Sequence, residues 1–259
     1  AVTGKAAMQS RQAVRKAIRT HPNATVVVTG CYAQIAPKVF ASMADVDCVV
    51  GNRDKHRIPE ICDYPRTLVP AKTWIQDLEA PFPFQDLPIT RFGDRTRAFV
   101  KIQDGCNAFC SYCIVPHARG RSRSLVPDVV IHRVNQLSNH GYSEVVLCGI
   151  HIGKYGQDLT PQTSLASLLK TLDDSKGIAR IRISSIEPME LTADLIKHLA
   201  ASEHICPHLH IPLQSGDDDI LKTMNRPYTA RDYGDLIHHI IATIPRLSVG
   251  VDVMAGFPG

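Results

Sequence analysis

The 259-residue sequence has no apolar run long enough to cross a bilayer and nothing that reads as a secretory leader. We therefore expect a cytoplasmic protein with no membrane partner, in which thiols stay reduced and disulfides play no part. Charge of one sign is also scarce. Lys and Arg number 29 against 25 Asp and Glu, a net +4 that permits a polyanionic partner without demanding one. The sequence also lacks the second cysteine or histidine pair that structural zinc requires alongside a first. With 44% hydrophobic residues the chain is ordinary globular material, enough for one large core or two modest ones.

What is present is a close-set thiol triplet. Of eight cysteines, Cys106, Cys110 and Cys113 form CxxxCxxC within residues 104–116. A 4Fe-4S cubane normally takes four Cys ligands, so three on a short loop leave one iron open to a small molecule. His117 would make a poor fourth zinc ligand, because Pro116 stiffens the backbone beside it. Cys48, Cys62, Cys148 and Cys206 read as ordinary buried thiols. His204, Cys206, His208 and His210 alternate and would share one strand face. Ligands on a single strand diverge poorly into a tetrahedron, and Pro207 interrupts the run, so a metal is not expected there.

The element pattern is α/β. A helix over 4–20 is followed by a β-branched strand at 25–29, a helix at 37–43 and a buried strand at 46–50, which suggests a small N-terminal α/β domain over 1–62. Five prolines, the only Trp and no helical period suggest a linker over 63–90. From 91 to 259, strands at 98–102, 144–148, 179–186, 208–213 and 249–253 alternate with helices at 128–139, 165–172, 192–201, 218–224 and 230–244. Repeated βα units in one direction imply parallel strands in a barrel or partial barrel, with the chemistry at strand C-terminal ends. The cysteine loop follows the first of these strands, and Cys31 follows a strand end in the first domain.

A CxxxCxxC loop with Tyr112 just before its last Cys, behind the first strand of a βα barrel, resembles the radical S-adenosylmethionine enzymes. Residues 97–106, 116–124, 182–187, 208–216 and 252–259 narrow the resemblance to the methylthiotransferase family (MiaB, MtaB and RimO types). Residues 3–5, 10–12, 118–120 and 153–159 are most similar to its MtaB branch. The resemblance implies a partial radical SAM barrel and two 4Fe-4S clusters. The radical cluster would sit on Cys106, Cys110 and Cys113. The auxiliary cluster would use Cys31 and two further Cys upstream of Ala1, so the chain reads as a fragment of a longer protein.

The resemblance further implies that S-adenosyl-L-methionine binds the open iron and yields a 5′-deoxyadenosyl radical on one-electron reduction. Tyr112, Ser185, Glu187, Gln214, Ser215, Gly216 and Gly256 would contact this cofactor. The implied reaction is methylthiolation at C2 of N6-threonylcarbamoyladenosine, next to the anticodon of tRNA. The tRNA anticodon stem-loop and an electron donor such as flavodoxin or ferredoxin would be its partners, and the protein would be a monomer. Alternatives are the same reaction on N6-isopentenyladenosine, or on a ribosomal protein aspartate, or a non-catalytic iron-sulfur RNA-binding module. Arg119, Arg121 and Arg123 after the loop, and Lys5, Arg11, Arg15, Lys16 and Arg19 on the first helix, are candidates for phosphate contacts.

Overall fold

The computed structural model describes residues 3–63, 71–80 and 82–259. The expected linker therefore falls partly outside the described residues, at 64–70 and 81. The chain divides into two compact units, 1–87 with 113–121, and 88–112 with 122–259.

The first unit opens with α1 (Gly4–Thr20), capped by Thr3, whose hydroxyl accepts from Ala6 N at 3.1 Å. Val14 and Ile18, four residues apart, share a helix face and pack on the cluster of Val28, Phe40 and Val49. Strands β1 (Val27–Thr29), β2 (Cys48–Val50) and β3 (Lys72–Trp74) form a parallel three-stranded sheet, with short helices α2 (Cys31–Ile35), α3 (Pro37–Ala41) and α4 (Ile58–Cys62) between them. β3 lies within the stretch expected as linker. Three residues, two of them exposed, carry no readable period, and only pairing with β2 makes them a strand.

The second unit begins with β4 (Arg97–Lys101) and β5 (Gln103–Asp104). The chain next forms α5 (Val115–Arg119), which belongs to the first unit, and returns as β6 (Arg123–Ser124). There follow α6 (Pro127–Asn139), β7 (Glu144–Cys148), α7 (Leu165–Ser175), β8 (Arg180–Ile183), α8 (Ala193–Ala201), β9 (His208–His210), α9 (Asp218–Thr223), α10 (Ala230–Thr243) and β10 (Ser248–Gly250). β4, β7 and β8 are parallel and adjacent. Bridges at Ile181 to Ile205 and Ser185 to His210 continue the parallel order to β9, which pairs with β10. The unit is thus a partial βα barrel of five parallel strands, and the expected α/β class holds.

Its core follows from the sequence periods. β7 is buried along almost its whole length, as a central parallel strand covered on both faces must be. In α7, Leu165, Leu168, Leu169 and Leu172 repeat at helical spacing and are all buried, each worth about 1.5–3 kcal/mol of apolar transfer. Ser164 caps that helix, and Lys176 ends it in the left-handed region at φ 48°. Several strands are shorter than expected: β8 stops at Ile183, β9 at His210 and β10 at Gly250. The residues beyond them are loop, which governs what the site can contain.

Candidate active site

The loop carrying Cys106 and Cys110 leaves the barrel through the antiparallel pair β5 and β6, where Gln103 faces Ser124 and Asp104 faces Arg123. Gln103 is fully buried. Its amide donates to the carbonyls of Asp104 and Gly105 at 3.1 and 2.8 Å and to Ser122 Oγ at 2.9 Å, while its Oε1 accepts from His151 N at 2.8 Å. One side chain thus ties the start of the loop to the turn after β7. Asn225 pins the loop further along, donating to the carbonyls of Ala108 and Phe109 at 3.3 and 3.2 Å. Ser111 completes the anchorage through Met224 O and Thr223 O. Arg123, a candidate for RNA contact, is instead only 8% exposed and pairs with Asp104 at 3.0 Å. The pairing of β5 with β6 turns it inward.

Each of the two triplet thiols in this unit, Cys106 and Cys110, meets a basic side chain. Cys106 Sγ lies 3.3 Å from His151 Nδ1 and accepts from Ala108 N at 3.4 Å. His151 Nε2 in turn lies 2.5 Å from Glu190 Oε1. Burial opposes charge on this imidazole, but the bonds to Cys106 and Glu190 outweigh it and raise its pKa to about 10. Cys110 Sγ accepts from Arg226 Nη1 at 3.3 Å. The same guanidinium donates to the Glu187 carboxylate through Nη2 and to Tyr228 Oη through Nε at 3.1 Å.

These groups border a cavity of 620 Å³ whose lining includes Cys110, His151, Lys154, Glu187, Glu190, Arg226 and Tyr228. That volume is in the range of small-molecule sites. Within its wall, Glu190 Oε2 is buried and makes no hydrogen bond among the described residues. His151 and Lys154 flank this carboxylate through Oε1, which leaves Oε2 with acceptor capacity unused. Gly153 makes room for that carboxylate, since a Cβ at this position would lie 2.0 Å from Glu190 Oε2. The donor chemistry fits a thiolate-bound cluster and a cationic small molecule beside it: N–H groups aim at two sulfurs, and two carboxylates, Glu187 and Glu190, stand in the cavity wall.

Of the expected cofactor contacts, Glu187 lines the cavity; Tyr112, Ser185, Gln214, Ser215, Gly216 and Gly256 do not. The short strands explain this. Ser185 Oγ bonds His210 Nδ1 at 2.5 Å, and His210 Nε2 lies 3.3 Å from Asp252. Gln214, at φ 67°, bridges to Val253. Tyr112 packs edge-on against Phe257 at 6.3 Å, and burial pushes its phenol up. Gly256 is exposed at φ 83°. His151, Glu190 and Arg226, by contrast, escape a reading of the sequence, because they come from three separate connections.

In the first unit, Cys113 is partly buried and precedes α5. Cys31 opens α2 after Gly30, whose φ of 112° suits only glycine. Asn52 Nδ2 lies 3.9 Å from Cys31 Sγ and donates to Ala118 O at 2.5 Å. The amide's Oδ1 is buried without a hydrogen-bond partner among the described residues. Arg11 donates to Tyr32 Oη at 2.9 Å, whereas Lys5, Arg15, Lys16 and Arg19 are exposed on α1. Among the described residues no three His, Cys, Asp or Glu side chains converge as a single metal ion would need. A cubane instead takes one thiolate per iron and holds its ligands farther apart.

Comparison with known proteins places this geometry in a family. The family described as Radical SAM superfamily matches residues 100–259. Threonylcarbamoyladenosine tRNA methylthiotransferase MtaB of Bacillus subtilis (strain 168) is 42% identical over 259 residues, covering 100% of this chain and 57% of that protein. A tRNA-2-methylthio-N(6)-dimethylallyladenosine synthase of Pelotomaculum thermopropionicum is 36% identical over 252 residues, covering 95% of this chain and 55% of that protein. The chain therefore spans a little over half the length of these relatives. Among solved structures, the cobalamin-dependent S-adenosylmethionine radical enzyme OxsB, with aqua-cobalamin and S-adenosylmethionine bound, superposes with a TM-score of 0.61. The match covers 97% of this chain and 39% of that one at 11% identity, a likeness of fold alone. The superfamily match runs through the cysteine loop and all of the partial barrel but the start of its first strand, and similarity to MtaB methylthiotransferases extends over the full length of the chain, so the chain belongs to the radical SAM superfamily.

Proposed function

We propose that the chain forms the radical-generating part of a tRNA methylthiotransferase that converts the C2–H of N6-threonylcarbamoyladenosine, next to the anticodon, into C2–S–CH3. Radical SAM enzymes use S-adenosylmethionine and a 4Fe-4S cluster, which when bound supply the one-electron chemistry. Cys106, Cys110 and Cys113 would hold the cluster. The cavity beside Cys110 would take the cofactor, with the unpaired oxygen of Glu190 accepting its ammonium group. Cys31 would ligate the auxiliary cluster together with cysteines outside this sequence.

The observation that carries this reading is the Glu190 carboxylate, with one oxygen unpartnered among the described residues, in the wall of a cavity bordered by a thiol of the triplet. It supplies what a zwitterionic, sulfonium-bearing cofactor needs and what a passive structural cluster does not. The rest of the wall serves orientation. Gln103 and Asn225 fix the loop, while Pro188, Met189, Pro227 and Tyr228 give the cavity an apolar side that limits water around a reactive species. The choice of threonylcarbamoyladenosine rests on similarity to the Bacillus subtilis relative; the dimethylallyladenosine synthases are less similar. A tRNA and a one-electron reductant of the flavodoxin or ferredoxin kind would be the partners.

Mass spectrometry of tRNA nucleosides from a strain deleted for the full-length gene tests the assignment. Loss of the methylthio group from threonylcarbamoyladenosine is expected. Loss from dimethylallyladenosine instead would move the substrate, and an unchanged profile would remove the proposal.

A further inference from the structure

We infer that His151 and Arg226 are positioning residues that set a ring nitrogen and a charged guanidinium against two of the three cluster thiolates and thereby set how readily the cluster accepts an electron. This rests on the cluster reading above. Neither residue lies in the cysteine loop: His151 follows β7 and Arg226 follows α9, and the fold brings one to each sulfur. The arrangement is repeated in both cases, a basic side chain between a thiol and a glutamate. His151 stands between Cys106 and Glu190, and Arg226 between Cys110 and Glu187. His151 places one ring nitrogen at the thiol and the other at the carboxylate, and the Arg226 guanidinium is always charged. The Arg226 side chain is only 4% exposed, so its field is poorly screened by water.

Taking up an electron makes the cluster more negative. Hydrogen bonds and positive charge at its sulfurs therefore favour the reduced form and raise its potential. The glutamates hold each basic side chain in place, as an outer carboxylate orients a ligand-bound histidine in metal sites. A purely structural role would leave the potential unmoved, and this gives the test.

The full-length protein would be reconstituted anaerobically with iron and sulfide, and the radical cluster titrated with redox mediators while its reduced-state electron paramagnetic resonance signal is followed. In His151→Phe and Arg226→Met, the ratio of reduced to oxidised cluster at the wild-type midpoint is expected to fall about tenfold, equivalent to about 59 mV for one electron. Arg226→Lys should recover most of that loss. Unchanged midpoints in cluster-loaded variants would overturn the inference. So would loss of the cluster from both variants, which would assign these residues to loop integrity alone. If only one variant loads, its midpoint decides. Absence of iron and acid-labile sulfide from the wild-type protein is a different failure, that of the cluster reading itself.

Discussion

The most informative perturbation outside the cysteines is Glu190→Gln. Its carboxylate is 5% exposed, with Oε1 at 2.5 Å from His151 and 3.7 Å from Lys154, and Oε2 free of any hydrogen bond among the described residues. The amide keeps an acceptor for His151 but removes the negative charge offered to the cavity. A hydrogen bond to a charged group contributes about 1.5–3 kcal/mol, so losing the charge-assisted contact with an ammonium should weaken cofactor binding roughly 10- to 150-fold. Equilibrium dialysis of labelled S-adenosylmethionine against the reconstituted full-length protein reads this directly. Iron content and the visible spectrum of the cluster should stay at wild-type levels, since Glu190 touches no thiol. A change under threefold would refute the assignment of the unpaired oxygen to the cofactor. Loss of the cluster along with binding would refute it too, by showing that Glu190 supports the loop.

Gly153→Ala should mimic that defect without touching a charge: a Cβ 2.0 Å from Glu190 Oε2 and 2.5 Å from its Cβ must displace the carboxylate, so the same dialysis should show weakened binding, and wild-type affinity would contradict the cradle. Glu144→Ala should cost about 2–3 kcal/mol in chemical denaturation, because a 2% exposed carboxylate bonded to Arg180 at 2.7 Å and Arg182 at 2.8 Å leaves the strand starts β4, β7 and β8 with uncompensated guanidiniums. The lower end of the range applies because Arg97 and Arg180 are more than half exposed and can turn to water. Burial opposes ionisation of Glu144, yet the bonds from Arg182 and Arg180 prevail and hold it below the ordinary carboxylate range. Its stabilisation is therefore complete above the unfolded-state pKa and lost as pH falls through the lower folded value, so the gap between wild type and Glu144→Gln should close in acid; a gap that widens there would contradict the network.

Much of this site was legible in the residue pattern because its chemistry is local. The cysteine triplet, the strand before it and the strand-helix alternation each occupy a short, periodic stretch, and in the larger unit they gave elements of the right type and order. Boundaries were less legible. β8, β9 and β10 stop early because the following residues bond one another across loops, as in Ser185 with His210 and Leu213 and Gln214 with Asp252. Apolar period carries no trace of that. Gln214 and Gly216 stand outside the cavity wall, which includes Glu190 and Arg226. Arg226 in particular sits in Asn225-Arg226-Pro227, which reads as a polar turn; only the packing of α9 beside the cysteine loop buries it. The alternating histidines show the same effect: His210 goes to Ser185 and Asp252 and His204 to Ala179 O, partners that their period of two does not reveal. Side chains recruited by tertiary contact from separate connections leave no spacing to read.

The central claim is that the triplet holds a cluster at which S-adenosylmethionine is cleaved. Reconstituted full-length protein, reduced anaerobically and given S-adenosylmethionine, should contain iron and acid-labile sulfide and release 5′-deoxyadenosine, and Cys110→Ala should abolish that release. Zinc without sulfide, and no 5′-deoxyadenosine, would contradict the account.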